Sequence, residues 1–87
     1  MKDFGVVIRE ARKAKRLTLE AVAKKIGSHK GYVSGIENRK VNPPSPRITK
    51  RLCASLGLGV EDMLIRAWIQ KAPVQVREIL IARLALS

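Results

Sequence analysis

This chain of 87 residues has one cysteine, one histidine and one each of Phe, Trp and Tyr. A lone Cys53 excludes an internal disulfide. With His29 as the only imidazole, no zinc site and no other metal site is expected. Aromatic residues make up 3% of the chain, so its core must be aliphatic. No apolar run approaches the ~20 residues that a membrane span requires, and no signal peptide is visible, so the expected compartment is the cytoplasm. Carboxylate pairs, nucleophile–base sets and phosphate loops are missing, so neither an enzyme nor a cofactor is expected. Alternating strand patterns are absent as well. Acids are scarce: seven Asp and Glu stand against eighteen Lys and Arg, for a net charge of +11.

That imbalance favours a polyanionic partner, and it is concentrated. Residues 1–51 carry fourteen Lys and Arg against four acids, whereas residues 52–87 carry four against three. A chain of this length is one small domain that buries roughly 60–65% of its unfolded surface. All of its apolar periodicity is helical.

The basic part is organised around LEAVAKKIGSHKGYVSGIE, residues 19–37. Val22 and Ile26 share one face of a short helix, and Val33 and Ile36 share one face of the next. Gly27 lies where the first must stop, because glycine takes the left-handed turn cheaply. Two short amphipathic helices joined through a glycine read as a helix-turn-helix.

Other helices follow from local signals. Asp3 caps a helix with Phe4, Val7, Ile8 and Ala11 inward and Arg9, Lys13 and Arg16 outward, and Thr18 caps the next. Asn42-Pro43-Pro44 breaks the chain, and Ser45-Pro46 restarts it as cap and first helical residue. That fourth helix carries Ile48, Leu52, Cys53 and Leu56 to Gly57, with Cys53 as a buried filler. In the fifth, Val60, Met63, Leu64, Ala67 and Trp68 form one stripe, and Ile65 and Ile69 a second that something must cover. A sixth opens at Pro73, with Val76, Ile79, Leu80, Arg83 and Leu84 as its repeating face and Ile81 outside it.

The chain resembles the Cro and lambda-repressor type of helix-turn-helix proteins, also called Xre-like. The residues that carry the resemblance are FGVVIREARKAKR, LTLEAVAKKIG, YVSGIEN and NPPSPRITKRLCASLGLGVEDML, covering about Phe4 to Leu64. Leu17, Val22, Ala23, Gly27, Val33, Ile36 and Glu37 all fall in the family's register. The resemblance implies a compact, all-α, five-helix DNA-binding domain, here with an additional C-terminal helix. It implies that the third helix enters the major groove, usually with the protein as a dimer on a palindrome. An ion pair between Arg12 and Glu37 is also implied. Three positions depart from the pattern: Leu19 replaces a common phosphate-binding Gln, Ser28 an apolar residue, and Arg39 a common Gly.

On a helical wheel, Gly31, Ser34, Gly35 and Asn38 lie opposite Val33 and Ile36, flanked by Lys30 and Tyr32. These six are the expected base-contact set, with the two glycines admitting a close approach to the groove or else making a weak helix. Arg16, Lys24, Arg39, Lys40, His29 and the Leu19 backbone N–H are the expected phosphate contacts. For His29, capping the helix is the alternative. The organisation expected is a DNA-binding domain over residues 1–71 and a C-terminal extension over 72–87. Apolar surface at Ile65, Trp68, Ile69, Val76, Ile79, Leu80 and Leu84 reads as a homodimer interface, or as surface that the sixth helix covers by folding back. The leading function is a sequence-specific transcriptional regulator of the repressor or controller type. An antitoxin whose tail also binds a toxin, and a non-specific basic protein on nucleic acid or acidic membrane, are the alternatives.

Overall fold

The computed structural model describes residues 1–86 and contains six helices: α1 (Phe4–Ala14), α2 (Leu19–Lys25), α3 (Lys30–Glu37), α4 (Pro46–Leu56), α5 (Val60–Lys71) and α6 (Val74–Leu86). Ser87, the last residue of the expected extension, lies outside the described residues. The local signals act where they stand in the sequence. Asp3, Thr18, His29 and Ser45 each accept a hydrogen bond from a backbone N–H in the first turn of the helix that follows. Each thereby satisfies a donor that the helix cannot.

The first four helices end alike. Gly27 and Gly57 close α2 and α4 at φ 70° and 69°, and Arg16 and Arg39 close α1 and α3 at φ 56° and 58°. In each case the next residue's N–H reaches back five positions, as from Leu17 to Arg12 and from Lys40 to Gly35. This is the Schellman arrangement, which recovers otherwise unpaired terminal carbonyls. Glycine adopts that backbone freely. An arginine there is strained by roughly 1 kcal/mol.

α2 and α3 pack on each other, α1 lies across α3, α4 and α5, and α4 joins α2 to α5. Ile8, Val22, Ile26, Val33, Ile36, Leu52 and Met63 form an aliphatic centre around the one aromatic core residue, Phe4, with Cys53 among them. Burial, and secondarily the Asp62 charge, pushes the Cys53 thiol up, so it stays a neutral filler.

α1 and α3 touch at Gly5. A Cβ on Gly5 would stand 2.4 Å from the Ile36 carbonyl oxygen and 2.8 Å from that of Glu37. Only a residue without a side chain permits this crossing.

α6 packs on α5, but with a different face from the one expected. Arg77, Leu80, Ile81 and Leu84 are half-buried, whereas Val76, Ile79 and Arg83 are exposed. Arg77 sets this rotation by capping the end of α5, donating from Nε to the Ala72 carbonyl at 2.9 Å and from Nη2 to the Gln70 carbonyl at 2.8 Å. Trp68 leaves the α5 stripe and is 59% exposed. Ile69 is 6% exposed, covered within the chain. It is therefore not free surface for a second copy, since its burial already stabilises the monomer by about 1.5–3 kcal/mol.

Candidate nucleic-acid interface

α2, the turn after it and the start of α3 border a shallow concavity lined by Glu20, Ala23, Lys24, Ser28, His29 and Lys30. Three of the expected DNA-contact residues, Lys24, His29 and Lys30, meet there. Glu20 is in the same wall, its carboxylate 3.6 Å from the Lys30 ammonium. Both partners are largely exposed, so the pair leaves Lys30 easily diverted to a stronger acceptor. In the sequence Glu20 is marked only as an acid in the first turn of α2, where it complements the helix dipole.

His29 caps α3 by accepting from Tyr32 N–H through Nδ1 at 3.3 Å. That bond assigns the ring proton to Nε2, which remains a donor. Capping and phosphate binding are thus compatible roles for one ring. Tyr32 is half-buried against the core, its ring centroid 6.4 Å from that of His29.

The exit of α3 is held by a cluster of arginines. Arg12 Nε and Nη2 donate to the two Glu37 carboxylate oxygens at 2.7 and 3.0 Å, a bidentate pair. Arg12 Nη1 also donates to the Leu17 carbonyl at 2.9 Å, which ties the α1–α2 turn to the end of α3. The Glu37 side chain is 3% exposed, and its hydrogen bond is the main reason the Arg12 guanidinium holds its proton more tightly than usual. Arg9 approaches the same carboxylate at 3.5 Å and also donates to Asn38 Oδ1. Asn38 Nδ2 in turn donates to the Ser34 carbonyl at 2.9 Å and to Ser34 Oγ at 3.2 Å. Ser34 and Asn38 are therefore a coupled pair at the rim, positioned by Arg9. The part played by Arg9 has no signal at the sequence level beyond its outward register.

Gly35 departs from expectation. It is buried, and a Cβ on it would meet the Val41 methyls at 3.3 and 3.4 Å. The loop after α3 folds back, with Lys40 N–H and Val41 N–H both donating to the Gly35 carbonyl. Gly35 thus seats a loop and does not open the helix to a groove. Gly31 is exposed, with only the His29 ring nearby at 3.3 Å. Gly31→Ala is expected to stabilise the fold by about 0.5–1 kcal/mol through helix propensity, and Gly35→Ala by less, because Val41 must give way. Thermal melts of the two single variants check this order.

The remaining expected contacts divide. Arg16, Lys24 and Lys40 are exposed. Leu19 packs its side chain against the core, leaving only its backbone N–H for a ligand. Arg39 pairs with Asp3 at 3.2 Å, on a cavity wall it shares with Arg66 and Arg77 and away from Lys24 and Lys30. Ser28 is exposed, so no core contact depends on it.

Residues 3–64 match the model of a helix-turn-helix domain. The chain belongs to the Xre-like helix-turn-helix family. It is 37% identical over 79 residues to an uncharacterized HTH-type transcriptional regulator of Bacillus subtilis (strain 168), RghRB; that match takes in 90% of this chain and 57% of the relative. The chain thus spans little more than half the length of that relative. Among solved structures, SinR, the master regulator for biofilm formation, in complex with DNA superposes with a TM-score of 0.63 at 33% identity, covering 70% of this chain and 97% of that one. The clp gene regulator ClgR from Corynebacterium glutamicum gives 0.64 at 30% identity, covering 93% of this chain and 84% of that one. These relatives are transcriptional regulators and not enzymes. No helix among the described residues is long and apolar enough to cross a membrane.

Proposed function

We propose that this protein is a sequence-specific transcriptional regulator of the repressor or controller type, binding double-stranded DNA as a homodimer on a palindrome with α3 in the major groove. The observation that carries this reading is the basic concavity between α2 and the start of α3, where Lys24, His29 and Lys30 converge. The exposed start of α3 that borders it is a helix, the element that a major groove of about 12 Å admits, and SinR, of the same fold, has been solved with DNA bound.

In this reading Lys30, Tyr32 and the Ser34–Asn38 pair meet base edges, and Gly31 admits the backbone. Arg16, Lys24, His29, Lys40 and the Leu19 N–H hold phosphates, which position the protein without specifying sequence. Residues 1–71 act as the reader and 72–87 as the extension. Ile65 and Trp68 on α5 and Val76 and Ile79 on α6 are exposed at helical spacing and supply the dimer contact, with Trp68 as its anchor.

Selection of DNA from a random pool by the full chain tests the proposal. Enrichment of a palindrome supports it, and a pool that stays unenriched defeats sequence specificity. Light scattering at micromolar concentration tests the dimer separately, and a monomer mass rejects it.

Arg16 gives a prediction that separates stability from binding. Arg16→Gly is expected to raise stability by about 0.5–1 kcal/mol by releasing the left-handed strain. The same change should weaken binding to all sequences and reduce the salt slope of log K by about 0.9, one phosphate contact. Denaturant titration and binding at several salt concentrations check both halves.

A further inference from the structure

A second cavity, of about 250 Å³, lies between the N-terminal arm, the exit of α3 and the α5–α6 pair. It shares no lining residue with the basic concavity of α2 and α3. Lys2, Arg39, Arg66 and Arg77 stand around it against one acid, Asp3, while Ile69 and Ile81 add an apolar side. The hydrogen bonds of Arg77 go to carbonyls, those of Ala72 and Gln70. Arg66 donates to the Lys2 carbonyl as well as to Asp62. Carbonyls orient a guanidinium without cancelling its charge, so Arg77 keeps its full charge on this wall, whereas Arg66 is paired with Asp62, Arg39 with Asp3 and Lys2 with Glu10.

Gln70 lines the same cavity, and its Oε1 is closed to solvent and accepts no hydrogen bond. Buried acceptors are nearly always partnered in folded proteins. An oriented, uncompensated guanidinium beside an unsatisfied acceptor fits a ligand with an anionic group and a hydrogen-bond donor close together.

We propose that this cavity binds a small organic anion, a carboxylate or phosphate that bears a hydroxyl donor beside its charge. The anionic group lies against Arg66 and Arg77, and the hydroxyl donates to Gln70 Oε1 once the amide turns about its soft terminal torsion. A short carbon chain rests on Ile69 and Ile81. The volume falls below the roughly 300 Å³ at which pockets for drug-sized ligands begin, so the ligand has only a few carbons. Because α6 and the exit of α3 both border the cavity, occupancy is sensed at both.

The test titrates the full chain, at constant ionic strength, with L-malate and separately with glycerol 3-phosphate. The arginine Nε–H and glutamine side-chain amide signals are followed by 15N NMR, with glycerol and sodium chloride as controls. Saturating shifts at Arg66, Arg77 and Gln70, with the signals of Lys24, His29 and Lys30 unmoved, are expected for at least one anion; the anion that saturates shows whether the site takes carboxylate or phosphate. Gln70→Leu should weaken binding about fivefold, one neutral hydrogen bond, and Arg77→Lys about tenfold, one charge-assisted bond. If Arg77→Lys undocks α6, Gln70→Leu decides alone, since it leaves the α5 cap intact. Non-saturating shifts, shifts reproduced by chloride, or unchanged affinity in Gln70→Leu would overturn the proposal.

Discussion

Glu37→Ala is expected to destabilise the domain by about 3–5 kcal/mol, the loss typical of removing one partner from a buried ion pair. The size follows from what remains behind. The Glu37 side chain is 3% exposed and that of Arg12 13%, so Arg12 would keep a largely buried charge with the Leu17 carbonyl as its remaining partner. Arg9 would lose the same carboxylate. Arg12→Ala should cost a similar amount, because it leaves the buried Glu37 carboxylate with only Arg9, at 3.5 Å, and releases the α1–α2 turn. Replacing both by methionine should cost far less, since apolar substitutes for a buried pair are often neutral. Denaturant melts of the four proteins measure these terms. An Arg12→Ala midpoint equal to wild type would refute the structural role of the pair.

Gly5→Ala is the second large effect, expected at roughly 3 kcal/mol, the upper end of what overpacking costs. The added Cβ would meet backbone oxygens of Ile36 and Glu37, at 2.4 and 2.8 Å, which no rotamer change can move aside. α1 and α3 would have to part, and the carboxylate of Glu37 would be pulled from Arg12. The helix propensity gained by alanine, about 1 kcal/mol, recovers only part of this. A thermal melt reads the loss directly. Gly31→Ala serves as the internal control, being the same substitution in a helix where the added Cβ meets only the exposed His29 side chain and no backbone. If Gly5→Ala melted with Gly31→Ala, the close crossing of α1 and α3 would be wrong.

The frame of the reader was legible because its rules act over a few residues. Caps at Asp3, Thr18 and Ser45, the left-handed stops at Gly27 and Gly57, and the spacing of Val22, Ile26, Val33 and Ile36 all express i to i+3 or i+4 geometry. For His29 the sequence admits both capping of α3 and a phosphate contact, and the structure shows the cap. The concentration of charge in residues 1–51 likewise needs no fold to be read.

Several positions depended on neighbours distant in the chain. A wheel projection placed Gly35 on the open face of α3, but the returning loop sets Val41 over it. Arg9 looked like one more outward cation, yet it holds Asn38, 29 residues away. Ile69 read as surface for a second chain until α6 and the N-terminal arm closed over it.

By itself, then, the sequence determined six helices, an aliphatic core and a basic helix-turn-helix, through periodicity, caps and net charge. Tertiary structure alone decided which glycine is open, which arginines are positioning groups and which apolar residues remain exposed. Each of those depends on what another helix places within a few ångströms, and one-dimensional spacing does not contain that distance.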